Sequence, residues 1–474
     1  MEKASAVLLG EAIARNSGYI EICLSENIPV FCINRKTKSR KPMPFKAMYE
    51  HNKQFWLHNK TWEYYISSND LKKIQELALN NPHTVKPEHD IEPIAATEGT
   101  GPLQDIEERA EIIDGFGEEY DVIAAVPDSE RAGIINKNSN RLQELIDQKP
   151  EDKNIITEAL VETTKETMLH NRAALLNAMV LADDAAKEKT RGLVISMKQF
   201  VRATTQLISS NVFNDDLMTQ LVSQSNGTII QHMLRVYLNG LAFLIYYNDT
   251  VSSSSMINKL RANFNSRYKN FYRSFLPHLD DHELSLERVF MGGMRAISEE
   301  QLDNWAMGFL MHDLGKASAV KYHEGDDEYD RQIVVEHVKV GYHSIINKTT
   351  YPREAGLITG YHHEYYGNPK GYGYFRSYLN KYKEMNPHSV QGYCIALDLK
   401  PVIDCEALAY FPAKILEIID VFDSITDPSR KYRDSVSTKD ALTLMLKEFI
   451  IKEPKLDLIL FDIFAKFVGE MSIQ

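Results

Sequence analysis

Apolar residues at three- and four-residue spacing run along the chain from about Lys153 to Phe467. The stretch from Ala159 to Ile208 contains almost no Gly or Pro, and its pattern is typical of long amphipathic helices. The segments that follow are again amphipathic or apolar with helical spacing. Residues 153–474 are therefore predicted to form an all-helical C-terminal domain, and the fold class is mainly α.

The first 82 residues have a different pattern, in which short apolar runs alternate with polar breaks. The runs YIEICL, IPVFCIN, QFWLH and TWEYYIS predict strands, and NDLKKIQELALN predicts a helix capped by Asn69. This mixture indicates a small α+β module over residues 1–82, with a regulatory or sensory role.

Acidic residues dominate the stretch from Pro87 to Asp121, where Arg109 is the basic residue and Pro and Gly are interspersed. A segment of this composition repels itself and stays extended. Residues 83–152 are therefore predicted to be an acidic linker region between the N-terminal module and the helical domain.

Composition restricts the functional classes. Of the 474 residues, 43% are hydrophobic and 25% are charged, as in soluble globular proteins. The net charge of −12 argues against a nucleic-acid polymer as partner but leaves room for a small anionic ligand. The apolar run GLAFLIYY is far shorter than the ~20 residues of a membrane span. The N-terminus has no signal-peptide pattern, and the four cysteines have neither metal-binding nor disulfide-framework spacing, so we expect a cytoplasmic protein without membrane contact.

Four clusters of histidine and aspartate interrupt the helical pattern. They are FLMHDLGK, with His312, Asp313 and Lys316; EHVKVGYHSI, with His337 and His343; YHHEYYG, with His362 and His363; and IIDVFDSIT, with Asp420 and Asp423. A single buried histidine is more often a hydrogen-bonded core residue than a ligand. Four such clusters in one helical region, all with groups that are costly to bury, favour a metal site.

In chain order, HD-x-GK, H-x-x-x-G, HHE with a Gly-Tyr loop, and D-x-x-D followed by R-x-Y-R resemble the motifs of the HD-GYP family. The resemblance covers roughly Leu207 to Ala465. It implies an all-helical, HD-type phosphohydrolase domain with two or three irons or related metals. The substrates known for the family are cyclic dinucleotides, so the resemblance implies a cyclic di-GMP phosphodiesterase in bacterial second-messenger signalling.

An HD-type site also needs an earlier histidine in the pattern H-x-x-R-V. QHMLRV supplies this pattern with His232, whereas SLERV, nearer to the HD motif, has Ser285 in place of the histidine. We take His232, which implies an insertion near residues 248–299. His282 or Asp281 is the alternative if SLERV marks the correct helix.

The sequence departs from the family pattern at three points. Thr228 stands where three-metal members carry a glutamate, which implies two metals rather than three. The loop is GYGY where the family has Gly-Tyr-Pro, and a further insertion lies near residues 376–410. The metal-ligating residue types remain, so the changes bear on the substrate loops.

The resemblance assigns the ligands to two transition-metal ions, iron or manganese. One ion would be bound by His232, His312, Asp313 and Asp423. The other would be bound by Asp313, His337, His362 and His363, so that Asp313 bridges the two. Glu364 and Asp420 would orient imidazoles.

The same resemblance implies which residues meet the substrate. Asp313 and Lys316 would be catalytic, and Lys316, Arg430 and Arg433 would neutralise phosphate oxygens. Tyr372 either stacks on a guanine or supports the loop. A homodimer through the helical region is a further expectation. Two alternative functions stay open: a cyclic-dinucleotide sensor with little catalysis, and a generic HD-domain nucleotide phosphohydrolase, against which the double histidine argues.

Overall fold

The computed structural model of the chain describes residues 6–8, 19–26, 28–34, 40–46, 49, 62–80, 123, 126–150, 152–179, 181–210, 229–253, 255–317, 331–367, 371–427 and 436–471. These residues form two compact units. The first lies within Met1–Gly99, Leu176–Ala182 and Ala317–Glu328, and the second within Thr100–Leu175, Asp183–Lys316 and Tyr329–Gln474. Helices predominate among the elements, which confirms the mainly α fold class.

The first unit contains a four-stranded antiparallel sheet with the strand order β1-β4-β2-β3. Its strands are β1 (Ala6–Leu8), β2 (Pro29–Asn34), β3 (Arg40–Pro44) and β4 (Trp62–Ser67). Two helices accompany the sheet, α1 (Tyr19–Ser25) and α2 (Ser68–Asn80). In the pairing of β2 with β4, Phe31 lies opposite Tyr65. Sheet and helices share a buried apolar core that includes Val30, Phe45 and Ile66.

Two predictions for this unit are wrong. The run YIEICL predicts a strand but forms α1, because Tyr19 and Cys23, one helical turn apart, are both buried. The cap of α2 is Ser67 rather than Asn69, since the Ser67 hydroxyl accepts a hydrogen bond from the Asp70 backbone N–H at 3.0 Å. The predicted strand QFWLH lies outside the described residues.

The predicted acidic linker, residues 83–152, contains a helix, α3 (Asp128–Gln148). Its buried face includes Arg131, Ile135, Asn138 and Leu142. The Asn138 side-chain amide donates to the Thr167 hydroxyl at 3.2 Å. The linker prediction is therefore wrong for this part, because α3 lies beyond the acidic stretch and carries a stripe of buried residues at helical spacing. Residues 83–122 lie outside the described part of the chain.

The remaining described helices build most of the second unit. They are α4 (Lys153–Met179), α5 (Asp183–Ser210), α6 (Ile229–Ser252), α7 (Ser255–Asn263), α8 (Lys269–Arg273), α9 (Leu286–Val289), α10 (Glu299–Met311), α11 (Arg331–Lys348), α12 (Arg353–Tyr361), α13 (Tyr374–Met385), α14 (Leu399–Ile403), α15 (Phe411–Thr426), α16 (Thr438–Leu444) and α17 (Leu458–Met471). Short 3-10 turns lie at Leu314–Ala317 and Tyr365–Gly367, and π-helical turns at Phe264–Tyr268 and Met445–Lys452. Within the described ranges, no helix is both long and apolar enough to span a membrane.

Helices α6, α10, α11, α12 and α15 pack against one another around a common centre. Helix α10 begins with a capping box, in which Ser298 and Gln301 each accept a hydrogen bond from the other's backbone N–H at 3.2 Å. It ends in the HD-x-GK turn, where Gly315 lies directly against α11. A Cβ at Gly315 would be 1.8 Å from the His337 backbone oxygen, so this close approach of two helices requires glycine.

The first predicted insertion, residues 248–299, begins later than expected, because α6 continues to Ser252. The Asn248 side-chain amide donates to the Ile297 backbone oxygen at 3.0 Å, and the Ile297 N–H donates to Asn248 Oδ1 at 2.7 Å. These two bonds bring the ends of the segment together. The intervening short helices therefore leave the helical body and return to it at one point, as surface excursions do.

The second predicted insertion, residues 376–410, contains two short parallel strands, β5 (Tyr393–Ala396) and β6 (Ala407–Tyr410). This short segment departs from the helical structure of the rest of the C-terminal domain. Both strands are mostly buried, and Phe290 from the other excursion forms a parallel bridge to Ile395. A short buried apolar run cannot be told from a helix segment by its periodicity, which explains the difference.

Candidate metal centre

Five buried histidines and two buried aspartates converge where the central helices meet. His232 lies on α6, His312 and Asp313 follow α10, His337 lies on α11, His362 and His363 follow α12, and Asp420 lies on α15. Two sets of three within this cluster have ligand atoms within 4.8 Å of one another. We call His232, His312 and Asp420 the first group, and His337, His362 and His363 the second group.

Asp313 lies between the two groups. Its Oδ2 atom is 3.5 Å from His232 Nε2 and 3.4 Å from His312 Nε2, both in the first group. Its Oδ1 atom is 3.3 Å from His337 Nε2 and 3.9 Å from His362 Nε2, both in the second group. One carboxylate therefore presents a separate oxygen to each group, which is the arrangement of a bridging ligand.

Two of the histidines are oriented by the ends of their own helices. His312 Nδ1 lies 2.9 Å from the Phe309 backbone oxygen, and His362 Nδ1 lies 2.8 Å from the Thr359 backbone oxygen. These are carbonyls of a last helical turn, which need a donor from outside the helix. A proton on Nδ1 leaves the lone pair of Nε2 directed at the centre, as metal-bound histidines require.

Several polar atoms at the centre have no hydrogen-bond partner among the described residues. They are Nε2 of His312, Nε2 of His362 and Nδ1 of His363. Leaving buried polar atoms unpaired is costly, and such atoms call for an explanation such as an ion. Imidazole nitrogen and carboxylate oxygen are the donor types that first-row transition metals accept. The residues present therefore fit two transition-metal ions, one at each group.

The protonation states of Asp313 and of two histidines of the second group suit cation binding. Burial, reinforced by His312, lowers the pKa of His362 to about 4, and burial together with His362 lowers the pKa of His363 well below its usual value. Burial opposes ionisation of Asp313, but the neighbouring Lys316 and His312 hold its pKa well below the ordinary value. Neutral imidazoles and an ionised carboxylate are the forms that bind a metal.

His232 is oriented by a carboxylate rather than by a backbone oxygen. Asp423 Oδ2 lies 2.8 Å from His232 Nδ1, and the same carboxylate accepts hydrogen bonds from Arg235 Nε at 2.6 Å and from Arg235 Nη2 at 2.9 Å. Arg235 also donates to Asp427 at 2.6 Å. Burial opposes protonation of His232, but Asp420 and Asp423 raise its pKa to about 10.

This arrangement corrects the assignment of the two aspartates of D-x-x-D. Asp423 is expected to bind a metal, but its oxygens are occupied by Arg235 and by the Nδ1 side of His232. Asp420 is expected only to orient an imidazole, but its Oδ1 atom lies 3.0 Å from His232 Nε2 and it belongs to the first group. The exchange follows from Arg235, which faces α15 one turn beyond His232 and takes Asp423 as its partner.

The loop after His363 packs onto the second group. The Tyr372 ring stacks on the His363 imidazole with ring centroids 4.4 Å apart, and the Tyr372 and Gly373 N–H groups donate to the His363 backbone oxygen at 3.0 and 3.1 Å. A Cβ at Gly373 would lie 2.9 Å from the Glu364 Cα atom and 3.0 Å from its backbone nitrogen, so the second glycine of GYGY is required here. Of the two roles open for Tyr372, these contacts favour support of the loop.

Glu364 does not have the role expected from the sequence. Its contacts are with Arg376, whose Nη2 donates to the Glu364 backbone oxygen at 3.1 Å and whose Nε lies 3.8 Å from Glu364 Oε1. Burial raises the pKa of Glu364 well above its usual value. The residue therefore belongs to the support of the Gly-Tyr loop, and the prediction that it orients an imidazole is wrong.

The other predicted residues fall in different places. Lys316 is buried and its Nζ atom lies 3.0 Å from Asp313 Oδ2. The alternative ligands Asp281 and His282 are exposed and away from the centre; the Asp281 carboxylate pairs with Arg273. In SLERV, Ser285 caps the short helix α9 by accepting a hydrogen bond from the Arg288 N–H. Residues Thr228, Arg430 and Arg433 lie outside the described residues.

Two buried charged residues on α15 were missed. Lys414 and Glu417 precede Asp420 and Asp423 at intervals of three residues, and all four are buried along an otherwise apolar helix. Residues three apart lie on one face of a helix. Charged residues at constant spacing in an apolar stretch are therefore a signal that the sequence contains, and Lys414 and Glu417 could have been found from it.

Comparison with known proteins gives one relevant similarity. No protein-family model and no curated protein sequence matches the chain. A solved structure to which the chain is similar is that of Bd1817, an HDG“Y”P protein from Bdellovibrio bacteriovorus. The match covers 94% of both chains, with 10% sequence identity and a TM-score of 0.32.

Proposed function

We propose that the chain is a metal-dependent phosphodiesterase that hydrolyses cyclic di-GMP in the cytoplasm. The observation that carries the proposal is the pair of buried ligand groups around Asp313, whose two oxygens face different groups. A phosphodiester has a poor leaving group at neutral pH, and a pair of adjacent cations is a recurrent means of hydrolysing it. The buried, mixed nitrogen and oxygen donors suit iron or manganese.

The residues around the two groups would have different roles in hydrolysis. Two bound cations would supply Lewis-acid stabilisation of the phosphate oxygens and lower the pKa of a water. Asp313 would keep the two groups in register, and Asp423 with Arg235 would keep His232 in the orientation that directs Nε2 at the first group. The ammonium of Lys316, 3.0 Å from Asp313 Oδ2, would neutralise a phosphate oxygen that gains charge.

The cyclic dinucleotide is proposed from the motifs, since the order HD-x-GK, HHE and R-x-Y-R is that of the HD-GYP family. On a chain of net charge −12, an anionic ligand needs local cations. Lys316 is one, and Arg430 and Arg433 are expected to supply others. We further propose that residues 1–82 regulate the activity and that the helical region forms a homodimer.

A second candidate function is a cyclic-dinucleotide sensor with little turnover. The observation that favours it is the Tyr372 ring, which stacks on the His363 imidazole and so places the altered GYGY loop against the second group. A loop in this position would hold a ligand out of line for attack. A generic HD-domain nucleotide phosphohydrolase is disfavoured, because simple HD sites lack the three-histidine second group.

The test is hydrolysis by protein purified anaerobically and reconstituted with Mn²⁺ or Fe²⁺. Cyclic di-GMP and a nucleoside triphosphate are offered separately, and products are separated by chromatography. His343→Ala is the matched control, because His343 lies on α11 six residues beyond His337 and belongs to neither ligand group.

Cleavage of cyclic di-GMP by the wild type and by His343→Ala, lost in His337→Ala, supports the proposal. Tight binding of cyclic di-GMP by fully metallated protein without any cleavage would establish the sensor instead. Faster hydrolysis of the nucleoside triphosphate than of cyclic di-GMP would show that the substrate is a nucleotide rather than a cyclic dinucleotide.

A further inference from the structure

The two residues after Glu364 have an unusual backbone. Tyr365 and Tyr366 both adopt the left-handed conformation, with φ of 46° and 50°. For a residue other than glycine this conformation costs roughly 1–2 kcal/mol. Two consecutive tyrosines therefore hold a strained turn directly after His362 and His363, and the surrounding structure must stabilise it.

Part of that support comes from a buried ion pair on α15. Glu417 Oε1 accepts a hydrogen bond from the Tyr365 backbone N–H at 3.3 Å, and its other oxygen pairs with the Lys414 ammonium. The Lys414 Nζ atom lies 4.2 Å from the centroid of the Tyr366 ring and donates to the Lys455 backbone oxygen at 2.8 Å. Both charged residues are 1% exposed. The pair therefore touches both tyrosines of the turn.

The other part comes from Asp457, which is fully buried at the start of α17. Its Oδ1 atom caps the helix by accepting from the Leu460 N–H at 2.8 Å. Its Oδ2 atom accepts from two hydroxyls, those of Tyr366 and Tyr272, at 2.7 Å each. Phe275 completes the enclosure, with its ring centroid 4.6 Å from that of Tyr366. The Tyr366 side chain is thus anchored at its hydroxyl by Asp457 and at its ring by Lys414 and Phe275.

The contacts that support the turn lie close to the candidate metal ligands. Glu417 lies one turn before Asp420 on α15, so the element that supports the turn is the element that carries a ligand of the first group. The adjacent histidines of the second group, His362 and His363, precede this left-handed turn, which only a specific set of partners can hold in place.

We propose that Glu417 and Asp457 are positioning residues for the second ligand group. By holding Tyr365 and Tyr366 in the left-handed turn, they fix the direction of the chain after His363 and so the orientation of its imidazole. The inference rests on the proposed function in one respect, namely that the second group binds a metal. Removing either support should let the turn relax and weaken metal binding at the second group, while the first group keeps its metal.

The test compares variants of the turn with a matched control. Glu417→Ala and Tyr366→Phe remove one support each, and Glu417→Gln keeps an acceptor for the Tyr365 N–H. The control is Tyr268→Phe, because the Tyr268 hydroxyl donates to Asp462 Oδ2 at 2.8 Å. Tyr268 precedes Tyr272 by one turn, and Asp462 lies on α17, so the control removes the same kind of bond away from the centre.

The first measurement is metal affinity, by chelator competition on protein whose fold is verified by circular dichroism. We expect roughly 10- to 100-fold weaker binding of one of the two metals in Glu417→Ala and Tyr366→Phe, the range for lost support of a ligand. Tyr268→Phe and Glu417→Gln should bind both metals as the wild type does. Unchanged affinity in both turn variants, or equal weakening of both metals, overturns the proposal.

The second measurement uses metal-free protein and separates this inference from the proposed function. Diethylpyrocarbonate modification of His363, mapped by mass spectrometry, reports how firmly the imidazole is held, since His363 is 6% exposed. The rate should rise in Glu417→Ala and Tyr366→Phe but not in Tyr268→Phe. Equal rates in all variants overturn the positioning role even if the wild type binds metals. If the wild type binds no metal, the proposed function is contradicted, but the modification rates still test the positioning role.

Discussion

The first and second ligand groups share Asp313, yet different interactions hold them in place. In the first group, His232 is oriented by Asp423, which is in turn held by two hydrogen bonds from Arg235. In the second group, His362 is oriented by a backbone oxygen, and His363 is stacked against the Tyr372 ring and precedes the left-handed turn. His232 thus depends on buried charges contributed by separate helices, whereas His363 depends on local chain geometry.

The two groups should therefore tolerate different changes. The chain of charged contacts from Arg235 through Asp423 to His232 is disrupted when one charge is removed, because the remaining partner is then buried and unpaired. A histidine held by local chain geometry is instead sensitive to the shape of the neighbouring turn and to the side chains that support that turn. Four substitutions and conditions test this contrast.

The largest effect is expected for Asp313→Asn, because the two oxygens of Asp313 face different groups. Loss of its charge should weaken both metals together and lower kcat for cyclic di-GMP by at least roughly 1000-fold. Elemental analysis and steady-state kinetics measure the two effects. If Asp313→Asn loses a single metal, the residue serves one group rather than both.

The next effect separates the groups. Arg235→Met leaves Asp423 buried without its cation, and we expect a loss of about 3–5 kcal/mol in the free energy of unfolding, measured by urea denaturation. The metal of the first group should be lost and that of the second retained.

Arg267→Met is the matched control for this variant. Arg267 makes the same two-point contact with Asp462, at 2.6 and 2.7 Å, but its side chain is 53% exposed. The loss there should stay below about 1 kcal/mol. Equal losses in the two variants would contradict the role assigned to the buried pair.

A third substitution should spare both groups. Lys316→Ala removes the cation beside Asp313 without removing a metal ligand. The activation free energy should rise by about 2–4 kcal/mol, which lowers kcat roughly 30- to 1000-fold. The metal content should stay unchanged. Lys339→Ala, on α11, is the control and should turn over normally. Loss of metal in Lys316→Ala would show that the ammonium organises the ligands instead.

The smallest expected effect is a pH dependence of the free energy of unfolding, caused by Glu417, which supports the turn after the second group. Burial raises the pKa of Glu417 to about 7, an effect that Lys414 only partly offsets. The folded state therefore holds this proton more tightly than the unfolded state, so stability falls as pH rises from the unfolded pKa towards 7 and then levels off. The contribution is up to about 3 kcal/mol.

Urea denaturation of the wild type and of Glu417→Gln across pH 4.5 to 7.5 measures this contribution as the difference between their slopes. Identical slopes would show that Glu417 is ionised in the folded protein throughout the range.

The helical class and the five candidate histidines can be predicted from the sequence, because each histidine lies in a short motif within a strongly periodic segment. The roles of Asp420 and Asp423 cannot, since both residues lie on one helix face and only the placement of Arg235 on a distant helix decides between them. YIEICL is predicted to be a strand because a short apolar run fits either period. The left-handed turn at Tyr365 and Tyr366 had no signal at all, since neither residue type favours that conformation.

The central claim is that two cations lie on opposite sides of Asp313, one at each ligand group. An anomalous difference map from crystals of the protein reconstituted with Mn²⁺ or Fe²⁺ tests it most directly. We predict two peaks about 3.5–4 Å apart, one among His232, His312 and Asp420 and the other among His337, His362 and His363. A single peak, a third fully occupied peak, or a peak bound by Asp423 in place of Asp420 would contradict the account.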